Sequence, residues 1–366
     1  MIPFIDLAAQ QKRIKPQIDE AIQRVLQHGS YVLGPEVAEV EQKLASYVGV
    51  KHCVTVSSGT DSLLIAMMAL GIQPGDEVIT VPFTWISTAE TIALLGAKPV
   101  FVDVDDATFN LDPSKLEAAI NSRTKAIMPV GIFGQTANMQ AINSIADQYG
   151  LPVIEDAAQC FGATHHGVKS CSLSTIGSTS FFPSKPLGCY GDGGALFTSD
   201  DELAEKFRYI RVHGQERKHY HPMLGVNGRM DTLQAAILMP KLEIFDDEIT
   251  LRQQVADTYG QLLSEGDSVR CPQVAEYNTS VWAQYTIRTQ DRDGLCKELG
   301  ENGIPSVSYY AVPLHLQPVF SDLGYSAGDF PVAEAIANDT LSLPMSPYLA
   351  KSDIDRIASV IRGVLV

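Results

Sequence analysis

The sequence predicts an α/β fold with a mixed, mostly parallel sheet over residues 1–250, followed by a smaller α+β unit over residues 251–366. Three observations carry this. From Lys51 to about Gly194, short β-rich runs alternate with amphipathic stretches; polar clusters sit just after three of those runs; and composition shifts near residue 250, where the alternation stops. No internal repeat or low-complexity segment appears.

In chain order, residues 16–27 and 36–48 read as helices, each with Pro near its first turn and Gly just past its end. The link between them carries Tyr31. The expected strands are 53–56, 77–81, 99–104, 126–130, 151–154, 175–181 and 195–198. Helices follow at 201–212 and at 229–245, the second bent or interrupted at Pro240, and then at 248–263. The smaller unit takes a strand at 281–288, a helix at 292–302 ending at Gly303, and a final helix at 354–364.

With 366 residues, 45% of them apolar, the chain can bury a large core. Its net charge of -16 argues against nucleic acid and anionic membranes as partners, because both need clustered Lys and Arg. The start lacks a basic segment followed by an apolar one, and no run approaches the ~18 apolar residues of a membrane span, so a cytoplasmic protein is expected. Six cysteines form no Cys-X-X-Cys pair and read as buried thiols. The His165-His166 and His219-Tyr-His221 pairs lack Cys or carboxylate neighbours at metal-ligand spacing, so no metal site is expected.

Four stretches carry chemistry. Lys185 lies between Pro183 and Pro186, with Gly188, Gly191, Gly193 and Gly194 after it and no carboxylate within six positions. Buried without a local partner, its amine moves toward the neutral form that a Schiff-base lysine needs; exposed, it is an ordinary loop lysine. Ser57-Ser58-Gly59-Thr60-Asp61-Ser62 opens a helix after a strand, which suits an anion cradle or a plain N-cap. Glu155-Asp156-Ala-Ala-Gln159 follows an apolar strand, where α/β sheets bind ligands: Asp156 can pair with a protonated ring nitrogen and Gln159 with a ring substituent, or both can sit in a solvated turn. Trp85, also after a strand, can cover a flat ring or join the core. Together these describe one pocket and match pyridoxal 5'-phosphate chemistry: an anion cradle, an acid for the ring nitrogen, a stacking aromatic and a lysine.

At this point the chain resembles the DegT/StrS-type nucleotide-sugar aminotransferases of the fold type I, aspartate aminotransferase-like class. The matching text is Gly34-Pro35-Glu36, Ser58-Gly59-Thr60-Asp61-Ser62-Leu63, Pro74-Gly75-Asp76-Glu77-Val78, Glu155 to Gln159, Ser180-Phe181-Phe182 through Lys185 to Gly194, and Asn227-Gly228-Arg229-Met230, which covers nearly the whole chain. The resemblance implies that Lys185 bonds the cofactor aldehyde, Asp156 holds the ring nitrogen, Gln159 lies near the ring hydroxyl, Gly59, Thr60 and Ser180 bind the phosphate, and Trp85 stacks. It further implies a homodimer with shared active sites, Asn227 completing the neighbour's phosphate site, and Arg229 and residues of the smaller unit contacting the nucleotide sugar. L-glutamate is the implied amino donor. Some relatives carry His at the lysine position and dehydrate instead; Lys185 speaks against that branch.

Within the family, Phe181-Phe-Pro-Ser-Lys185-Pro-Leu-Gly-Cys-Tyr-Gly-Asp-Gly-Gly194 and Lys241-Leu-Glu-Ile-Phe245 resemble enzymes that aminate the C3 ketone of UDP-2-acetamido-2-deoxy-3-keto-glucuronic acid. That implies a role in O-antigen and other surface polysaccharide biosynthesis; another UDP- or dTDP-keto sugar is the alternative. A uronate carboxylate needs donors in so acidic a protein, which makes Arg229 and His315 candidates, though they also suit a helix start and a loop. Tyr309 and Tyr31 are further candidates for substrate contact. A nicotinamide-dependent sugar oxidoreductase is disfavoured because Ser57 to Ser62 has one glycine where the dinucleotide fingerprint needs three. A binding protein without a cofactor would not need Lys185, Asp156 and Gln159 together.

Overall fold

Seven strands build the sheet that carries the site: β1 His52–Val56, β2 Glu77–Thr80, β3 Lys98–Phe101, β4 Thr124–Ile127, β5 Ile154–Asp156, β6 Ile176–Ser180 and β7 Gly194–Thr198. The computed structural model describes residues 2–264 and 269–364. Parallel pairing gives β3-β2-β4, and parallel bridges from Ile127 to Val153 and from Val130 to Asp156 join β4 to β5. Strand β6 continues parallel to β5, whereas β7 is antiparallel to both β6 and β1. The reversal follows from the connection: the link 181–193 has no crossover helix, so β7 returns beside β6 in the opposite sense.

The sheet is buried on both faces. Val54, Val78, Ile154, Ile176 and Leu196 point into one core, with Leu63, Ile65 and Phe207 from helices. On the other face Cys53, Ala195 and Phe197 meet Phe161, Leu238 and Phe245, while Ile79, Phe101 and Ile127 pack with Ile142, Leu314 and Phe320. Such two-sided burial is why these strands read as nearly continuous apolar runs. The C-terminal ribbon pairs β8 Tyr285–Arg288 with β9 Thr340–Leu343, antiparallel, against helices Arg292–Glu301 and Lys351–Val364. Its core takes in Ile2 and Val255, Ala256 and Tyr259 of the helix Phe245–Leu263.

Several boundaries differ from the sequence reading. The helix expected at 229–245 runs Thr232–Glu243, because Asp231 is extended and bridges Val32; Pro240 lies inside it, and Ile244 separates it from Phe245–Leu263. Residues 281–284 precede β8 rather than joining it, with Trp282 at φ 49°. A short helix, Leu7–Arg13, went unread although Asp6 accepts from the Ala9 N–H at 2.9 Å. The shift at β5 matters most: the strand begins at Ile154 and ends on Asp156, so Glu155 and Asp156 are strand residues facing opposite ways.

Candidate active site

Strand ends place the candidate residues. Ser58 caps the helix Gly59–Leu70 by accepting from the Asp61 N–H at 3.0 Å. The turn is a true N-cap, and the first-turn N–H groups of Gly59 and Thr60 remain without intrahelical partners. A Cβ on Gly59 would lie 2.5 Å from Ser180 Cβ, and one on Gly194 would lie 2.5 Å from the Ser58 carbonyl oxygen. Glycine is therefore what lets the ends of β1, β6 and β7 converge. The glycines after Lys185 also serve close approach rather than unusual dihedrals: none of Gly188, Gly191, Gly193 and Gly194 has a positive φ, and a Cβ on Gly188 would meet the Phe182 carbonyl oxygen at 2.5 Å.

A cavity of about 410 Å³ opens at this edge. Lys185, Gly59, Thr60, Trp85, Asp156, Gln159, Ser180 and Tyr309 all line it. Trp85 is 61% exposed and forms part of the rim, not the core. The loop bearing Lys185 is tied from behind by the helix Thr232–Glu243: Lys241 Nζ donates to the Gly188 carbonyl at 2.6 Å, and Gln234 Oε1 accepts from the Tyr190 N–H at 2.9 Å.

Asp156 and Lys185 form the electrostatic centre. Asp156 is buried; its Oδ2 accepts from Thr88 Oγ1 at 3.0 Å and its Oδ1 from the Ala158 N–H at 3.2 Å. Burial raises its pKa, opposed by those two donors and by the Lys185 charge. Burial lowers the pKa of Lys185, opposed by the Asp156 charge alone. Glu155 points away. Its Oε2 accepts from the Cys171 N–H at 2.8 Å, its Oε1 is buried without a partner, and burial pushes its pKa up to about 8.

Glu155 yields a pH prediction. Its folded pKa lies above the ~4.3 of an unfolded glutamate, so the stability from its protonated form is full below about pH 4 and is lost as pH rises toward 8. At about 1.4 kcal/mol per pH unit, the effect reaches a few kcal/mol. Thermal melts of the native chain and Glu155→Gln are expected to show a stability advantage of the native chain that shrinks between about pH 5 and pH 8.5. A constant difference would contradict the assignment.

Sequence reasoning missed Thr88, Tyr310, Asp192, Gln234 and Lys241. Thr88 carried a signal, since the stretch Thr84 to Thr88 after β2 is rich in hydroxyls; Lys241 stood in the matching text, but its role could not be read there because it depends on where the loop after β6 docks.

Other predicted residues lie elsewhere in the chain. Asn227 and Arg229 line a second cavity of about 400 Å³ with Val32 and Ser57; Asp192 lines both cavities. Tyr31 is 49% exposed, next to Val32. His315 reaches neither cavity. Its side chain is fully buried, with Nε2 3.0 Å from Glu334 Oε1 and its ring edge-on to Phe330, so packing closes it off from a ligand in this arrangement.

The sequence profile of the DegT/DnrJ/EryC1/StrS aminotransferase family matches residues 12–362. The chain belongs to this family. It is 55% identical over 361 residues, 99% of each chain, to the UDP-2-acetamido-2-deoxy-3-oxo-D-glucuronate aminotransferase of Pseudomonas aeruginosa. A DegT DnrJ EryC1 StrS aminotransferase from Brucella abortus, 46% identical, superposes over all of both chains with a TM-score of 0.96. The ntda protein of Bacillus subtilis, solved with bound cofactor PMP, is 32% identical and has a TM-score of 0.90, covering 96% of this chain and 81% of its own. This DegT/DnrJ/EryC1/StrS protein is thus a fold type I aminotransferase whose cofactor is pyridoxal 5'-phosphate. Its residues fit that group. Asp156 has used one lone pair on each oxygen, the Lys185 amine is in no hydrogen bond with the described residues, and the glycine-built cradle is too tight for any Cβ.

Proposed function

We propose that this enzyme transfers the amino group of L-glutamate to the C3 ketone of UDP-2-acetamido-2-deoxy-3-keto-glucuronic acid, making a 3-amino sugar for surface polysaccharide in the cytoplasm. The observation that carries the substrate is the full-length 55% identity to the Pseudomonas aeruginosa enzyme. Bound pyridoxal phosphate supplies an electron-withdrawing ring that stores the amino group between half-reactions. Lys185 holds the cofactor between turnovers; its Nζ, whose pKa burial lowers, takes a proton from the glutamate α-carbon and later delivers one to the sugar C3. Asp156 holds the ring nitrogen protonated. Gly59, Thr60 and Ser180 bind the phosphate with N–H and hydroxyl donors, Gln159 meets the ring oxygen, and Trp85 covers the ring face.

Asn227, Arg229 and Tyr31 belong to the reading through a homodimer. Within one chain Asn227 and Arg229 face a different cavity from Lys185, which supports a site completed by the neighbouring copy. Tyr309 contacts the sugar from within the chain. His315 drops out of the substrate set.

The test supplies purified enzyme with glutamate and a panel of UDP- and dTDP-keto sugars, following 2-oxoglutarate release. The UDP-3-keto-uronate is expected to give the highest kcat/KM. Turnover confined to a dTDP sugar would replace the substrate assignment and leave the chemistry.

A further inference from the structure

The Gln159 amide is held at both ends. Its Oε1 accepts from the Phe133 backbone N–H at 3.0 Å, and its Nε2 donates to the Tyr310 hydroxyl at 2.6 Å. A backbone N–H can only donate, so an inverted amide would set two donors against each other at Phe133. The chain itself therefore fixes the orientation. Gln159 is 4% exposed, and it lines the same cavity as Tyr310 and Lys185. With the amide oxygen turned to the Phe133 N–H and one N–H given to Tyr310, the second N–H remains for a bound molecule.

Tyr310 is pinned in turn. Its ring stands edge-on to Phe83 at 5.6 Å and nearly parallel to Phe133 at 6.3 Å between centroids. Its φ is 61°, a left-handed conformation that is costly for a bulky residue and persists only where the surroundings impose it. Here that strain sits on the wall of the active-site cavity.

We propose that Tyr310 is a positioning residue which holds the NH₂ end of Gln159 in place, so that its free N–H donates to the ring oxygen of the cofactor. The inference rests on the pyridoxal phosphate reading of this cavity. The ring oxygen accepts from the remaining Gln159 N–H, and it accepts more strongly once deprotonated, because a hydrogen bond to an ionised oxygen is the stronger one. The titratable groups around this edge are Asp156 at the end of β5, Lys185 after β6, Asp192 on the same loop, and Tyr309 beside Tyr310. A donor on the ring oxygen draws off negative charge that would otherwise hold the proton on the nitrogen linking Lys185 to the cofactor. That proton is therefore lost at lower pH with the donor in place.

The experiment is a pH titration of the visible absorption of the pyridoxal phosphate-loaded protein, without substrate, for the native chain, Gln159→Ala, Tyr310→Phe and the double variant. Phenylalanine keeps the ring packing of Tyr310, and thermal melts check the fold. Both single variants are expected to raise the spectral pKa, by up to about one unit or tenfold in the protonation constant, Gln159→Ala the more. The double variant is expected to match Gln159→Ala, because Tyr310 acts only through Gln159. A native-like Tyr310→Phe beside a shifted Gln159→Ala overturns the proposal, as does a double variant shifted further than Gln159→Ala. If the native band is normal and neither variant moves it, this inference falls while the cofactor reading stands. If the loaded native chain shows no band, the cofactor reading itself falls.

Discussion

Replacing Lys185 with alanine is expected to lower turnover by about 10⁴-fold or more and to leave the fold intact. General-base proton transfer alone contributes about 10² to 10⁴, and the variant also loses the covalent hold on the cofactor. Little stability is at stake. The amine makes no hydrogen bond with the described residues, and the loop stays anchored by Lys241 on the Gly188 carbonyl and Gln234 on the Tyr190 N–H. Losing the Lys185 charge removes one of the influences that lower the Asp156 pKa, so that carboxyl should move further upward. Adding pyridoxal phosphate and then L-glutamate to each protein checks this: a visible band that glutamate bleaches in the native chain and not in the variant is the expected result. Bleaching at a native rate in Lys185→Ala would place the proton-transferring group elsewhere.

The parts of this site that were legible in the sequence are those whose chemistry is local. A Ser-Ser-Gly-Thr turn opening a helix suits an anion cradle or a plain cap, and the structure has Ser58 as the cap with Gly59 pressed on Ser180. Lys185 between two prolines announces a held amine, although its depressed pKa depends on burial that only the folded sheet supplies. What stayed hidden depends on partners far apart in the chain. Thr88 reaches Asp156 across 68 positions, Tyr310 reaches Gln159 across 151, and Lys241 reaches Gly188 across 53. No periodicity encodes such pairings. The burial of His315 was hidden for a related reason: a histidine in a proline-flanked loop looks available, yet the 3₁₀ turn Leu314–Leu316 packs it beside Phe330 and against Glu334. The fold class followed from the alternation of runs, while the antiparallel β7 was set by the helix-free link before it and could not be read from the strand's own residues.

Replacing Asp156 with asparagine is expected to lower the rate of the glutamate half-reaction by roughly 10²- to 10³-fold, the scale of a lost charge stabilisation at a reacting centre. Asparagine has the same shape but cannot hold a proton on the ring nitrogen, so electron withdrawal weakens without any change in cavity size. The substitution is not neutral for the fold either. Thr88 Oγ1 and the Ala158 N–H both donate to the carboxylate, one to each oxygen, and an amide offers a single acceptor atom. The Ala158 N–H can keep the amide oxygen while Thr88 Oγ1 turns its proton toward Thr84 Oγ1, 3.3 Å away, and accepts from the NH₂ group, so the loss is that of exchanging charged for neutral hydrogen bonds, about 1 kcal/mol. Burial opposes this loss, because the ionised carboxylate is itself disfavoured there and its pKa is raised. The net fall in thermal stability should therefore be modest without cofactor and larger with it, since the bound ring adds a positive charge in direct contact with the carboxylate. Stopped-flow bleaching at saturating pyridoxal phosphate, paired with melts with and without cofactor, separates the two effects. A half-reaction slowed less than about tenfold, with native cofactor affinity, would mean that Asp156 does not hold the ring nitrogen and that its place opposite Lys185 serves only to balance the lysine's charge.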